Sequence, residues 1–211
     1  MGHKVDNFFS KEERERIKET TRAVECCTVG EVVVMVVDRS DDYPDGQVIG
    51  GVVGGSLLSL AITALFFNAS LWFFVPLAFV FFFPFRAIFK KYHPLRTAFL
   101  GVKRREHAVV HRAIRAFHEK GLNRTKERTG VLFFISLLEH KVWVLADKGI
   151  HEKIGQETLN SFAAKVSRGI AEGRACDALC EAIKEAGELL ANHFPKTKDD
   201  KDELPDDVMT E

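Results

Sequence analysis

Residues Val48–Phe85 read VIGGVVGGSLLSLAITALFFNASLWFFVPLAFVFFFPF, and no side chain among them carries a charge. The flanking chain is dense in Lys, Arg, Asp and Glu, so the nature of this block decides the fold. A helix rises about 1.5 Å per residue and the hydrocarbon layer is about 30 Å thick, so about 20 mostly apolar residues cross it. Val48–Phe67 supplies one such span and Leu71–Phe89 a second, with the turn-forming Asn68-Ala69-Ser70 between them. Neither span shows the polar stripe at helical period that a water-facing helix needs. Trp72 and the basic Arg86, Lys90 and Lys91 stand where aromatic and snorkelling cationic side chains favour the membrane interface. Residues 46–92 are therefore expected to form a transmembrane helical hairpin.

Within it, Gly50, Gly51, Gly54 and Gly55 form small-xxx-small pairs that predict close approach of another helix, including self-association between copies. Pro76 and Pro84 are expected to bend the second span against its shielding partner. Two spans return the chain to the side it left. The segment after them carries Arg86, Lys90, Lys91, Arg96, Lys103, Arg104 and Arg105, and the turn carries no charge. The positive-inside rule then puts both soluble parts in the cytoplasm, on an integral protein of a bacterial plasma membrane. Asn68-Ala69-Ser70 matches a glycosylation sequon, but a loop tight against the bilayer is not expected to be used.

The chain has 211 residues, 46% of them hydrophobic, and a formal net charge of zero, which argues against nucleic acid as a partner. MGHKVDNFFSKEERERIK contains no apolar leader, and Asp6 stands where a myristoylation motif needs Ser or Thr. Four cysteines, Cys26, Cys27, Cys176 and Cys180, are too few and too clustered for a disulfide framework and read as reduced thiols.

Ser10-Lys11-Glu12-Glu13 is a capping box opening a helix that runs to about Cys27. Gly30 precedes Glu31–Asp38, a β-branched run of the kind buried on both faces of an α/β sheet. One strand and one helix cannot cover those faces, so the part beyond the hairpin must belong to the same fold. It offers a helix over about Lys103–Lys120, a strand Gly130–Leu137, a polar turn Glu139-His140-Lys141 and a strand Val142–Ala146. Two helices follow, at about Gln156–Ala171 and Ala175–His193, the second striped by Leu179, Ile183, Ala186 and Leu190. The fold class is α/β: a small three-layer sandwich around a mixed sheet of at least three strands. Residues 1–45 and 93–194 form one discontinuous domain, the hairpin sits in the crossover, and the acidic tail 195–211 is expected to be disordered.

These elements resemble the TPM domain family. The resemblance rests on Thr28-Val29-Gly30-Glu31 followed by Val32–Val37, and on LNRTKERTGVL at 122–132. It continues in HKVWVLADKGI at 140–150 and GIAEG at 169–173, so that it covers the soluble domain in order. Family members commonly face a lumen or the cell exterior, whereas the charge bias here points to the cytoplasm; the inserted hairpin resembles a membrane-bound subgroup. The resemblance implies an association with divalent cations and with a phosphatase label.

With a parallel first pair and an antiparallel second pair, one sheet edge collects Thr28, Gly30, Glu31, Arg128, Thr129, Gly130, Asp147, Gly149 and His151. Glu31 and Asp147 offer hard oxygen ligands to Ca²⁺ or Mg²⁺, and Arg128 offers a phosphate clamp. The glycines permit close backbone approach to a ligand. The other edge carries Asp38, Asp41, Asp42 and Asp45, read as a solvated group neutralised by Arg39 and the basic helix. His107, His111 and His118 share a helix, but the zinc-protease Glu is missing between the first two, and neither His nor Cys is expected to hold a metal. No Gly-rich phosphate loop, Cys-x-x-Cys or Ser elbow is present. The function expected is a binding, assembly or maintenance module at the cytoplasmic membrane face, its partner another membrane or membrane-associated protein. The alternative is a metal-dependent phosphatase acting on phosphate monoesters. A channel role is disfavoured because no ionisable residue lies between Val48 and Phe85.

Overall fold

The structure, a computed structural model, describes residues 5–68, 70–92, 95, 100–125, 127–196 and 207–211. The chain divides into two compact units, residues 1–40 with 108–211, and residues 41–107.

The first unit is built on a sheet of order β3-β2-β1-β4, from β1 (Glu31–Val37), β2 (Gly130–Ser136), β3 (Lys141–Ala146) and β4 (Met209–Thr210). β1 and β2 are parallel, from Glu31 opposite Gly130 to Val37 opposite Ser136. β3 runs antiparallel to β2, with Val131 opposite Ala146. Every residue of β1 and β2 is buried, as their β-branched and aromatic runs require. The pleat sorts them. Val32, Val34 and Val36 share one core with Val131, Phe133, Ile135, Val142 and Val144. Val33, Met35 and Val37 share another with Leu132 and Phe134.

Helices close both faces. α1 (Lys11–Glu25) opens with the expected capping box: the Glu13 N–H donates to the Ser10 hydroxyl at 3.1 Å and the Ser10 N–H to the Glu13 carboxylate at 2.8 Å. The long helices after the hairpin are Val102–Glu119, Gln156–Ala171 and Ala175–His193, within one residue of their expected bounds. The first of them packs Val109, Ala113, Ala116 and Phe117 on the Met35 face, while the other two bring Phe162, Val166, Leu179 and Ile183 to the Val34 face. A three-layer sandwich results.

Two features differ from the sequence reading. Lys148–Ile154, read as loop, is a short helix capped by Asp147. The end of the tail, expected to be disordered, supplies β4, parallel to β1 with Met209 opposite Met35, and Val208 is buried. A two-residue strand has no period to read, and its acidic surroundings mimic a solvated tail. Residues 197–206 of that tail, Ala69 of the turn and Arg96 of the basic segment lie outside the described residues.

The second unit is a helical hairpin of α2 (Pro44–Phe66) and α3 (Leu71–Lys91). With Val102–Glu119 as α4, Lys148–Ile154 as α5, Gln156–Ala171 as α6 and Ala175–His193 as α7, the helices are named in chain order. α2 starts four residues before the expected Val48, at Pro44, whose fixed φ suits a first helical turn. Both helices are long and apolar enough to cross a membrane, with mean hydropathy 2.0 each.

Small residues of α2 meet large ones of α3. A Cβ at Gly50 would fall 2.2 Å from the Phe89 ring, at Gly54 2.3 Å from Phe85, at Gly51 2.9 Å from Phe82, and at Gly55 3.0 Å from the Phe82 backbone nitrogen. The close approach read from these four glycines is therefore made within the chain, and the face suggested for self-association is covered by α3. The Ser59 hydroxyl donates to the Phe74 carbonyl at 2.7 Å, and Thr63 donates to the Ser59 carbonyl at 2.9 Å. Leu60, Leu65, Phe66, Val75 and Phe79 face outward, and Trp72 is 89% exposed.

At the open end of the hairpin, Arg104 joins Asp41 at 2.8 Å and Asp45 at 3.7 Å and lies over the Tyr43 ring. The expected neutralisation of these acidic residues by the basic helix is present, and it draws the start of α4, through His107, into the hairpin unit.

Gly55→Leu should overpack this contact, at a cost of about 1–3 kcal/mol, because the opposing atoms are backbone. A pulsed EPR distance between labels at Leu57 and Val75 checks it: the distance should widen relative to the parent protein.

Candidate functional site

The start of β1, the start of β2 and the end of β3 meet at one sheet edge, as the strand directions require. Glu31 lies opposite Gly130, and the Asp147 N–H donates to the Gly130 carbonyl at 2.9 Å. Glu31, Gly130 and Asp147 thus stand in one row, with the glycine in the middle.

Most of the candidate residues at this edge hold the fold. The Thr28 hydroxyl donates to the Phe194 carbonyl at 2.6 Å and accepts from the Gly30 N–H at 3.1 Å, which pins the end of α7 to the entry of β1. Gly30 itself packs on Leu190. Thr129 is fully buried; its hydroxyl donates to the Val29 carbonyl at 2.9 Å and its N–H to the Thr125 hydroxyl at 3.1 Å. The Thr125 hydroxyl donates in turn to the Leu122 carbonyl at 3.4 Å. Each of these three hydroxyls gives its proton to a backbone carbonyl.

Gly130 is required by a close approach of protein, not of ligand. A Cβ there would stand 2.7 Å from the Leu122 carbonyl oxygen and 3.0 Å from the Leu122 Cβ. Leu122 fills the place over Gly130, between Glu31 and Asp147. Two strand spacings of about 4.8 Å separate the two carboxylate-bearing positions. Glu31 is buried at 6% exposure beside Val33 and Met35.

Asp147 finds other company. It caps α5, accepting the Lys148 N–H on Oδ1 at 2.7 Å. Its Oδ2 is buried with no hydrogen-bond partner among the described residues, and so is Oδ1 of Asn123. Both residues line a cavity of about 230 Å³ walled by Ile114, Phe117, His118, Leu145 and Ala146. Asn123 sits on the 3₁₀ turn Leu122–Arg124, held in place by the approach of Leu122 to Gly130. Sequence reading missed it; its one signal was its position in the LNRTKERTGVL stretch.

Arg128 is exposed in the left-handed region, φ 55°, and Gly149 lies against it: a Cβ at Gly149 would meet the Arg128 carbonyl oxygen at 2.9 Å. His151 is exposed on α5 and its N–H donates to the Asp147 carbonyl at 2.9 Å. Neither Arg128 nor His151 lines the cavity.

His118 joins the cavity rim through its helix position, its Nδ1 at 2.8 Å from the Ile114 carbonyl. Cys26 and Cys27 are exposed after α1, whereas Cys176 and Cys180 are buried on α7. Burial, with Cys180 next in effect, pushes the Cys176 thiol up to about 12, which keeps it protonated and inert at neutral pH. Among the described residues, no three His, Cys, Asp or Glu side chains converge as a metal site would need.

The sequence pattern of the TPM domain matches residues 93–189. The solution structure of the BA42 protein from the psychrophilic bacterium Bizionia argentinensis has a similar fold, with a TM-score of 0.61 and 20% sequence identity, covering 97% of this chain and 96% of that one. No curated protein matches the chain.

Thr129→Val keeps the shape of the side chain but orphans the Val29 carbonyl, and should lower stability by about 1–2 kcal/mol. Denaturant unfolding of the full chain measures the difference.

Proposed function

We propose, on the match of residues 93–189 to the TPM domain, that the chain is a membrane-anchored binding or assembly module that holds a divalent cation in the Asn123–Asp147 cavity. The observation that carries this reading is the pair of buried acceptor oxygens, Asp147 Oδ2 and Asn123 Oδ1, that line one cavity without a partner. A buried unsatisfied acceptor costs about 1–3 kcal/mol. Two such oxygens on residues lining one cavity call for a positive or hydrogen-donating occupant, and both are the hard donors that Ca²⁺ and Mg²⁺ take. One carboxylate, one amide oxygen and water form a weak site, in the range of about 10⁻⁴–10⁻³ M.

The anchor is the α2–α3 hairpin. Its outward face is apolar all round, which suits lipid and not water. Arg86, Lys90, Lys91, Lys103, Arg104 and Arg105 support a cytoplasmic position for the rest of the chain.

The phosphatase reading draws on the label of the matching family pattern. Against it, the hydroxyls of Thr28, Thr125 and Thr129 are each bonded to a backbone carbonyl, and Arg128 is not a lining residue of the cavity. On this reading hydrolysis would rely on activated water and not on these threonines.

Titration of the full chain in detergent with Ca²⁺ and with Mg²⁺, followed by amide NMR, separates these readings. Shifts should centre on Asn123, Asp147 and Lys148, saturate in the stated range, and vanish in Asp147→Asn, which retains an N-cap side chain. Absence of shifts up to 10-fold above that range removes the cation site. Phosphate release from a generic monoester that disappears in Asp147→Asn would favour the phosphatase.

A further inference from the structure

The segment Asp207–Glu211 lies along the edge of β1 that β2 does not use. Met209 and Thr210 continue the sheet in parallel opposite Met35 and Val36. The Glu211 N–H donates to the Val36 carbonyl at 3.1 Å, and the Asp38 N–H donates to the Glu211 carbonyl at 3.0 Å. Val208 is buried in the core of the Val34 face, and Met209 packs on the Met35 face. Cations flank the segment on both sides. Lys18 Nζ lies 2.9 Å from Asp207; Arg112 pairs with the Glu211 carboxylate, and Lys120 Nζ lies 3.5 Å from it.

These contacts describe a recognition groove. The strand edge takes the main chain, an apolar slot takes Val208, and basic side chains take an acid at each end. The segment is nonetheless short: two ladder positions, two main-chain bonds through Glu211, one buried side chain, and ion pairs whose acids are 71% and 42% exposed. Such a segment opens well below global unfolding, and salt screens its ion pairs. A vacated edge presents unpaired N–H and C=O groups of β1 to any matching strand. Nothing in the groove depends on which chain supplies the segment, which is the condition for strand exchange.

We propose that the β1 edge is a docking groove for an extended acidic segment in trans, and that its occupant is Asp207–Glu211 of a second copy of this chain, the copies exchanging tails. The charge pattern selects this occupant: Asp-Val-Met-Thr-Glu meets Lys18, the apolar slot, and Arg112 with Lys120 in order, and a second copy carries it. The inference is independent of the cation cavity, which lies beyond β2 from this edge.

Full-length chains with Cys26→Ser and Cys27→Ser, which removes the exposed thiols, provide the test. One population carries Asp6→Cys and the other Thr210→Cys, at positions whose side-chain oxygens lie 3.4 Å apart. Mixed in detergent and oxidised with diamide, they should give a disulfide-linked dimer faster than either population alone, and faster still at raised salt. Val208→Asp in the Thr210→Cys chain should abolish it. The double variant Asp6→Cys with Thr210→Cys should close within one chain. If that variant closes while the mixture stays monomeric, the tail docks only in its own chain and the proposal fails. It also fails if the double variant does not close, since the tail then does not lie on this edge. Equal cross-linking with Val208→Asp would make the linkage collisional and overturn the proposal as well.

Discussion

The parallel pairing of β1 with β2 is the constraint on which the rest of the structure depends. Seven consecutive positions pair from Glu31 with Gly130 to Val37 with Ser136. A parallel pair cannot be closed by a tight turn and needs a crossover. Here the crossover runs from Asp38 to Thr129 and contains α2, α3 and α4. The apolar hairpin therefore leaves and rejoins the same sheet, and the sheet is completed only by chain from both sides of it. Burial enforces the pairing: every residue of β1 and β2 is inside, so neither strand is stable without helices on both faces.

The same constraint gathers the candidate site. Parallel β1 and β2 with antiparallel β3 bring two strand starts and one strand end to a common edge. At that edge the backbone, more than any ligand, accounts for the small and hydroxylated residues. Thr28 and Thr129 bond to carbonyls, and Gly130 admits Leu122. The approach of Leu122 then presents Asn123 to the cavity lined by Asp147. A structural glycine thus positions the residue whose oxygen the proposed function rests on.

Much of this was legible in the sequence, for physical reasons. Val32–Val37 and Val131–Ile135 carry side chains that suit only a strand buried on both sides, and Ser10 with Glu13 can cap only a helix start. The apolar block declared its length and its lack of a polar stripe. What was not legible depends on tertiary contact. Four glycines announce close approach but do not say which helix approaches, and here it is α3, through Phe82, Phe85 and Phe89. Glu31 and Asp147 share an edge by topology, yet only the packing shows that Leu122 stands over the glycine between them. Asp147-Lys148-Gly149 reads as a turn until Asp147 is seen to cap α5. β4 is two residues long, and its place follows from Val208 finding a core that the preceding acidic residues do not hint at.

A hairpin inserted in a crossover differs from a terminal anchor, because removing it interrupts the domain. Its outward Leu, Val and Phe side chains are apolar over both helices, while its inward face is closed by glycine, serine and threonine against aromatic rings. Lipid is the solvent that such a surface fits. Depth profiling by EPR of full-length protein in vesicles, with spin labels at Leu60 and Phe79, tests this most directly. The account predicts that both labels relax with oxygen and are shielded from a water-soluble nickel chelate. Labels that respond to the chelate as strongly as one at the exposed His151 would contradict it.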